Sequence, residues 1–386
     1  MMQPWFEDAK LGIFIHWGIY AVKGIAESWS FFNKQVSYED YMSQLSDFTA
    51  AKYDPRQWAE LFKRAGARYA VLTTKHHDGV ALWDTQENDL NVVQRTPAAR
   101  DLVTPFVDAM RGAGLHAGLY YSHLDWSHPD YASVLNSSRR PGGKDEKLER
   151  NPFAYPAEGA AEQPERWQRF LAFHRAQLKE LCTRYHPDLL WFDGDWERDA
   201  DQWNMGELRE QLHAWAGPQV ILNSRMRGHG DYATPEQGVP IVAPKGPWEF
   251  CVTMNNSWAY KYDEPYKPAW MLVRLFAECI GMGGNMLLNC APNKEGVIVP
   301  EQVERLEVLG DWIRKHEEAV YGSIAGLPHG HTYGPSTMNK ATNVLYIMTF
   351  DRPTHAISVK GVRNKVLRAT VLGTHQEVRH EKVGGA

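Results

Sequence analysis

The sequence predicts an α/β fold: a (β/α)8-like, TIM-type barrel followed by a small C-terminal all-β, sandwich-like domain. Three observations predict it. Short, nearly continuous apolar runs of strand length alternate with segments of helical periodicity, the pattern of a parallel sheet covered by helices. Six or seven such units fit within about 320 residues, which favours a closed barrel over an open doubly wound sheet. From about residue 325 the texture changes to short β-type runs separated by turn residues. On this reading residues 1–325 form the barrel, and residues 326–386 form a β-domain that is short for a complete sandwich.

The elements follow in order along the chain. The strand-like runs are LGIFIHWG at 11–18, YAVLTTKHH at 69–77, HAGLYYS at 116–122, DLLWFDG at 188–194, QVILNS at 219–224 and GNMLLNC at 284–290, with a weaker run, WEFCVTM, at 248–254. Helical periodicity marks 55–66, 99–113, 164–185, 202–215, 267–281 and 300–318. In the second of these, Leu102, Phe106, Val107 and Met110 share one face, and a glycine closes the segment as a plausible C-cap. No GxGxxG follows the first strand, which argues against a dinucleotide fold. Residues 136–165 are polar, charged and rich in Gly and Pro, and read as a long insertion after the third strand, at the end where barrel enzymes place active-site loops. Beyond 325, NVLYIMTF, HAISVKGV and KVLRATVLGT are the β-type runs.

Composition narrows the function. The 386-residue chain has a net charge of −5, which implies neither a nucleic-acid nor an anionic-membrane partner. No stretch reaches transmembrane length, and no basic leader precedes an apolar run. A cytoplasmic location is the expectation, with a periplasmic or secreted protein lacking its signal as the alternative. The four cysteines have no metal-binding spacing and sit in apolar segments, so free, buried thiols are expected. The chain is rich in rings, with 15 Trp, 17 Tyr and 16 His. Indole and phenol rings beside neutral imidazoles make good walls for a sugar, because they join flat apolar faces to hydrogen-bonding edges.

Barrel enzymes assemble their sites at the carboxyl ends of strands. The first strand ends in His16 and Trp17, and the loop after it carries Glu27 and Trp29. The second ends in Lys75, His76, His77 and Asp78; the third in Tyr120, Tyr121 and Ser122, with His123 and Asp125 beyond; the fifth in Asn223 and Arg225. The fourth ends in Trp191, Phe192 and Asp193, and Asp195 and Glu197 follow at once. Charge at the end of a buried strand is costly unless it is paired or used. By itself that acidic run reads equally well as a polar loop.

Together these stretches resemble a known family. GIFIHWGIY, TTKHHDGVALWDT, GLYYSHLDW, LWFDGDWE, LNSR, WEFCVTMNNSWAY and GGNMLLNCAPNKEG, in this order from about residue 10 to 320, are similar to the motifs of the glycoside hydrolase family 29 α-L-fucosidases. The resemblance implies a (β/α)8-like catalytic barrel followed by a β-sandwich, and retaining, exo-acting hydrolysis of terminal α-L-fucosyl residues through a covalent fucosyl-enzyme. It implies that Asp193 is the nucleophile, and that His16, Glu27, His76 and His77 bind fucose hydroxyls. Tyr120 is implied as a sugar contact or a support for Asp193, and Arg225 as the arginine that reaches the ring-oxygen side or the nucleophile. Trp29 and Trp191 are candidates for the apolar contact with the C5 methyl group. The family often has Glu followed directly by Trp in the first loop; here Ser28 intervenes between Glu27 and Trp29.

The acid/base has two candidates. Glu236 stands in a loop after the fifth strand, where a carboxyl group can cycle its proton at the pocket rim. Glu249 stands beside Trp248 in a strand-like run, where burial would raise its pKa. The rim position favours Glu236. The expected partner is a fucosylated oligosaccharide or glycoconjugate, with no cofactor and no metal. Three alternatives stand beside it: a related barrel glycosidase acting on another sugar, a metal-dependent hydrolase using His16, His76, His77 and Asp193, and a non-enzymatic sugar-binding protein that keeps the pocket and lacks the acid. Against the second, neighbouring histidines on a strand point to opposite faces. Linkage preference and oligomeric state are not legible.

Overall fold

Seven parallel strands form one curled sheet in a computed structural model that describes residues 2–131 and 163–383. They are β1 (Leu11–Ile15), β2 (Tyr69–Lys75), β3 (His116–Ser122), β4 (Leu189–Asp193), β5 (Ile221–Leu222), β6 (Glu249–Thr253) and β7 (Asn285–Cys290). Their spatial order is β5-β4-β3-β2-β1-β7-β6, so the run at 248–254 is a full member of the sheet. Helices Pro55–Arg64, Val103–Gly112, Pro164–Tyr185, Met205–Ala216, Ala269–Gly281 and Pro300–Lys315 lie between the strands in sequence, close to the predicted segments.

An irregular eighth stave spans the gap between β5 and β6. Tyr232 bridges to Asn223, and Ala233 and Glu236 bridge to Trp248 and Cys251, all in parallel sense. The periodicity of 232–236 does not announce a strand, because Pro235 removes a donor and only isolated bridges form. Its remaining groups are used: Ala233 N–H donates to the Pro247 carbonyl at 3.1 Å, and the Pro235 carbonyl accepts from Cys251 N–H at 3.1 Å.

Strand alternation sorts the apolar residues into two cores. Ile13, Ile15, Leu72, Leu190, Phe192, Phe250 and Val252 pack outward under the helices. Phe14, Val71, Tyr120, Leu189, Trp191, Cys251 and Leu287 fill the barrel interior. Phe6 closes the lower end, with its ring 4.6 Å from Tyr232. Burial on both sides accounts for the near-continuous apolar strands.

After the barrel, β8 (Ile324–Ala325), β9 (Ser336–Asn339) and β10 (Val344–Ile347) form a small antiparallel sheet. The strands predicted at 355–362 and 365–374 do not form; one isolated bridge, Thr370 to Glu377, lies there. Ile357, Val359, Val366 and Leu367 remain exposed, so these runs find no apolar face to bury against, which is what a strand of their pattern needs. Nearly all of the insertion read at 136–165 falls outside the described residues. The four cysteines are free and buried, as expected.

Candidate active site

One cavity of about 1190 Å3 opens at the carboxyl ends of the strands. It gathers His16, Glu27, Trp29, His76, Tyr120, Trp191, Asp193, Arg225 and Glu236 from the residues singled out in the sequence. His77 stands behind this wall and Glu249 lies beneath it; neither lines the cavity.

Asp193 is the last residue of β4, paired in register with Ser122 of β3, so rigid ladder bonds fix its position. Arg225 Nη1 donates to its Oδ1 at 2.5 Å, and the Tyr120 hydroxyl donates to its Oδ2 at 3.0 Å. Burial opposes ionisation of Asp193, but the Arg225 charge and these hydrogen bonds outweigh it and hold the carboxyl below the usual range. The other arm of the guanidinium, Nη2, donates to Glu236 Oε2 at 2.6 Å. One arginine therefore bridges the two carboxylates. It also lies 4.7 Å over the Trp191 ring.

The histidines are set by their neighbours. Asn289 Nδ2 donates to the Trp258 carbonyl at 2.8 Å, which turns Oδ1 toward His16; His16 Nδ1 then donates to it at 2.7 Å. The Ser122 hydroxyl donates to the Leu124 carbonyl, so His77 Nδ1 must donate to Ser122 Oγ, at 2.6 Å. Burial pushes His16 down to about 4 and His77 well below its ordinary value, so both are neutral near pH 7. Each keeps Nε2 as an acceptor. That of His77 is buried without a protein partner, 3.7 Å from Asp193 Oδ2. His76 bonds Ser28 Oγ at 2.7 Å through Nδ1, so the residue that separates Glu27 from Trp29 has a use.

Strict alternation at His76 and His77 does not hold, for two reasons. The β2–β3 register shifts between Thr73 and Lys75, and β2 ends at Lys75, where a turn begins. Both rings therefore lie near Asp193, their centroids 4.2 Å apart. One ligand atom from each of His76, His77 and Asp193 falls within a 4.8 Å cluster, a spacing that could suit a cation. Oδ1 of that carboxylate is already paired with the Arg225 guanidinium.

Glu27 is buried, and burial raises its carboxyl to about 7. Glu249 is fully buried at the amino end of β6. Trp191 Nε1 donates to its Oε1 at 2.8 Å, and the Tyr69 hydroxyl donates to Oε2. Burial lifts it to about 7, as expected, but its place under the cavity floor differs from the site expected of an acid/base: strand alternation turns it into the barrel, at the end opposite the pocket.

Phe14, Trp196 and Trp258 also line the cavity. Phe14 was legible, since it lies two residues before His16 and shares its face. Trp196 and Trp258 come from loops, where no periodicity reports direction. Trp196 stacks on Trp29 at 6.1 Å, and Trp258 lies 5.0 Å from the His16 ring.

Comparison with known proteins agrees in kind. A family profile described as Alpha-L-fucosidase matches residues 1–318. Tissue alpha-L-fucosidase of Rattus norvegicus is 32% identical over 350 residues, 83% of this chain and 70% of the relative. Among solved structures, alpha-L-fucosidase isoenzyme 1 from Paenibacillus thiaminolyticus superposes with a TM-score of 0.86 at 32% identity, covering 98% of this chain and 90% of that one. A GH29 alpha-L-fucosidase from Bacteroides thetaiotaomicron, trapped as a covalent intermediate in complex with 2-fluoro-fucosyl fluoride, gives a TM-score of 0.85 at 28% identity, with the same coverages.

Proposed function

The chain belongs to the α-L-fucosidase family of glycoside hydrolases, and from that premise we propose that it releases terminal α-L-fucosyl residues from oligosaccharides or glycoconjugates, with Asp193 as nucleophile and Glu236 as acid/base. The observation that carries this reading is the Arg225 bridge between the two carboxylates. Sharing one guanidinium keeps the two groups close, as retaining hydrolysis requires (carboxyl groups about 5–5.5 Å apart).

In the first step Asp193, held ionised, attacks the anomeric carbon while Glu236 protonates the departing oxygen. In the second, Glu236 takes a proton from water, which releases fucose from the aspartyl ester. Glu236 is half-open to solvent, which suits a group that must exchange its proton. Glu249 is buried and does not line the pocket, and its bond to Trp191 supports a role in holding that ring. The Nε2 acceptor of His16, which lines the cavity, suits a sugar hydroxyl, which can donate to it; His77 stands behind the wall, and its place supports a role beside Asp193. Trp29, Trp191 and Trp258 offer apolar faces for the C5 methyl group. Free, buried thiols support the cytoplasmic reading; among the described residues no helix is long and apolar enough to cross a membrane.

Incubation with 2-fluoro-fucosyl fluoride, followed by peptide mass mapping, tests the assignment. The label is expected on Asp193. A label on any other side chain would overturn the nucleophile, and the absence of both label and turnover of an aryl fucoside would overturn the activity.

A further inference from the structure

Arg225 must hold two carboxylates at once, yet regular pairing ends before it. The ladder between β4 and β5 stops at Leu222, and Arg225 lies in the turn beyond. Side chains replace the missing ladder. The Asn223 amide pairs with both backbone groups of Phe192, each bond 2.8 Å long. The Arg225 carbonyl lies 3.1 Å from His123 Nε2. His123 Nδ1 lies 3.0 Å from His174 Nε2, and His174 Nδ1 lies 2.8 Å from Arg175 Nη1. Both imidazoles are fully buried.

The ends of this chain determine its direction. An arginine N–H can only donate, so His174 Nδ1 accepts. His174 then carries its proton on Nε2 and donates to His123 Nδ1, and His123 carries its proton on Nε2 and donates to the Arg225 carbonyl, which can only accept. No protonated state fits. A second proton on His174 would set two donors face to face at Arg175. A second proton on His123 would force His174 into the opposite tautomer, with the same clash. Burial, reinforced by Arg175, keeps both rings neutral, with His123 down to about 3. Arg175 is itself anchored, since its Nη2 donates to the Trp203 carbonyl at the end of the short helix Ala200–Trp203. Phe192, the neighbour of Asp193, stacks on His123 at 4.7 Å and 10°, and His123 N–H donates to the Asp193 carbonyl at 2.8 Å.

We propose that His123 and His174 are positioning residues: a one-way relay, started by Arg175, that fixes the Arg225 backbone so that its guanidinium spans Asp193 and Glu236. The inference rests on the proposed role of Arg225, and two measurements separate the failure of one from the failure of the other. The first is spectroscopic. Long-range 1H–15N spectra of histidine-labelled protein at pH 7, assigned with His123→Gln and His174→Gln, are expected to show both rings neutral and protonated on Nε2. A charged ring or an Nδ1–H tautomer at either position would overturn the relay, whatever the activity. Arg175→Met removes the donor that faces His174 Nδ1 and is expected to let His174 take a second proton there at a higher pH than in the wild type; an unchanged titration of His174 would overturn the starting role of Arg175.

The second is a double-mutant cycle on an aryl fucoside. His123→Phe is expected to lower kcat about 10–100-fold with little change in KM, because small displacements of a catalytic group cost rates of this order. His123→Gln, which keeps a donor at the reach of Nε2, should recover most of that loss. In an Arg225→Met background His123→Phe should cost nothing further. Equal losses in both backgrounds, or wild-type kcat in a folded His123→Phe enzyme, would overturn the inference. An Arg225→Met enzyme with unchanged kcat would instead overturn the role assigned to Arg225. If His123→Phe does not fold, the cycle runs with His123→Leu and with His174→Phe, neither of which keeps a donor for the Arg225 carbonyl or for His123 Nδ1.

Discussion

The rim and the floor of the pocket each hold a glutamate, on neighbouring staves, and the two have opposite surroundings. Glu236 rides on the irregular stave, partly open to solvent and paired with Arg225. Glu249 opens β6, wholly buried and hydrogen-bonded to Trp191 and Tyr69. Only a few residues separate them across the parallel bridges that join Ala233 to Trp248 and Glu236 to Cys251. The difference teaches that a raised pKa does not identify an acid/base. Burial that raises the pKa of Glu249 also keeps it off the cavity lining, whereas a proton donor must reach the leaving oxygen before its pKa matters.

The largest expected effect lies at Asp193, the carboxylate that shares Arg225 with Glu236. Asp193→Ala should lower kcat on an aryl fucoside by about 10^4-fold or more, as loss of a nucleophile does, with partial rescue by azide. Full activity in this variant would remove the premise of the comparison. Next comes Glu236→Ala. A fucoside with a poor leaving group should slow by about 10^2–10^4-fold, the range of general acid catalysis. Nitrophenyl fucoside should suffer much less in the first step, and azide should trap a β-fucosyl azide. Chromatography of the azide reaction decides it; if Glu249→Ala gives this product and Glu236→Ala does not, rim and floor exchange roles.

His76→Ala sharpens the rim side. It should cost on the order of 2–4 kcal/mol in kcat/KM, because a sugar hydroxyl loses its buried partner, and elemental analysis should find no zinc lost with it.

Glu249→Gln sharpens the floor side, through stability. Its carboxyl, ordinarily at 4.5, lies at about 7 in the fold. Between these values the unfolded chain ionises while the folded protein keeps its proton, so rising pH favours unfolding. Wild type should therefore lose stability from about pH 4.5 to 7 relative to Glu249→Gln, by a few kcal/mol at most (about 1.4 kcal/mol per unit). Urea melts of both proteins at pH 5 and pH 8 measure it, and an equal gap at both values would show that Glu249 is ionised throughout. Activity should survive, since glutamine still accepts from Trp191 Nε1. The smallest effect belongs far from either carboxylate. Leu367→Ser, on the exposed tail, should change stability by no more than about 0.5 kcal/mol and leave kcat untouched.

Much of this protein was determined by the sequence alone. Apolar runs and helical periods report short-range order, and they located seven strands, six long helices and the carboxyl-end cluster of His16, His76, Tyr120, Asp193 and Arg225. Alternation within β1 and β4 set Phe14 beside His16 and Trp191 beside Asp193, because side-chain direction in a strand depends only on position along it. Tertiary structure decided the rest, wherever direction depends on partners distant in the chain. The eighth stave has no period of its own and exists through bridges to Asn223 and β6. Both His76 and His77 lie near Asp193 because β2 ends and turns at Lys75. The β-type runs at 355–374 stay open, since a strand forms only when another face pairs with it. Glu249 could be told from Glu236 only by depth, which no local pattern encodes: a barrel strand carries the same alternation at its floor as at its mouth.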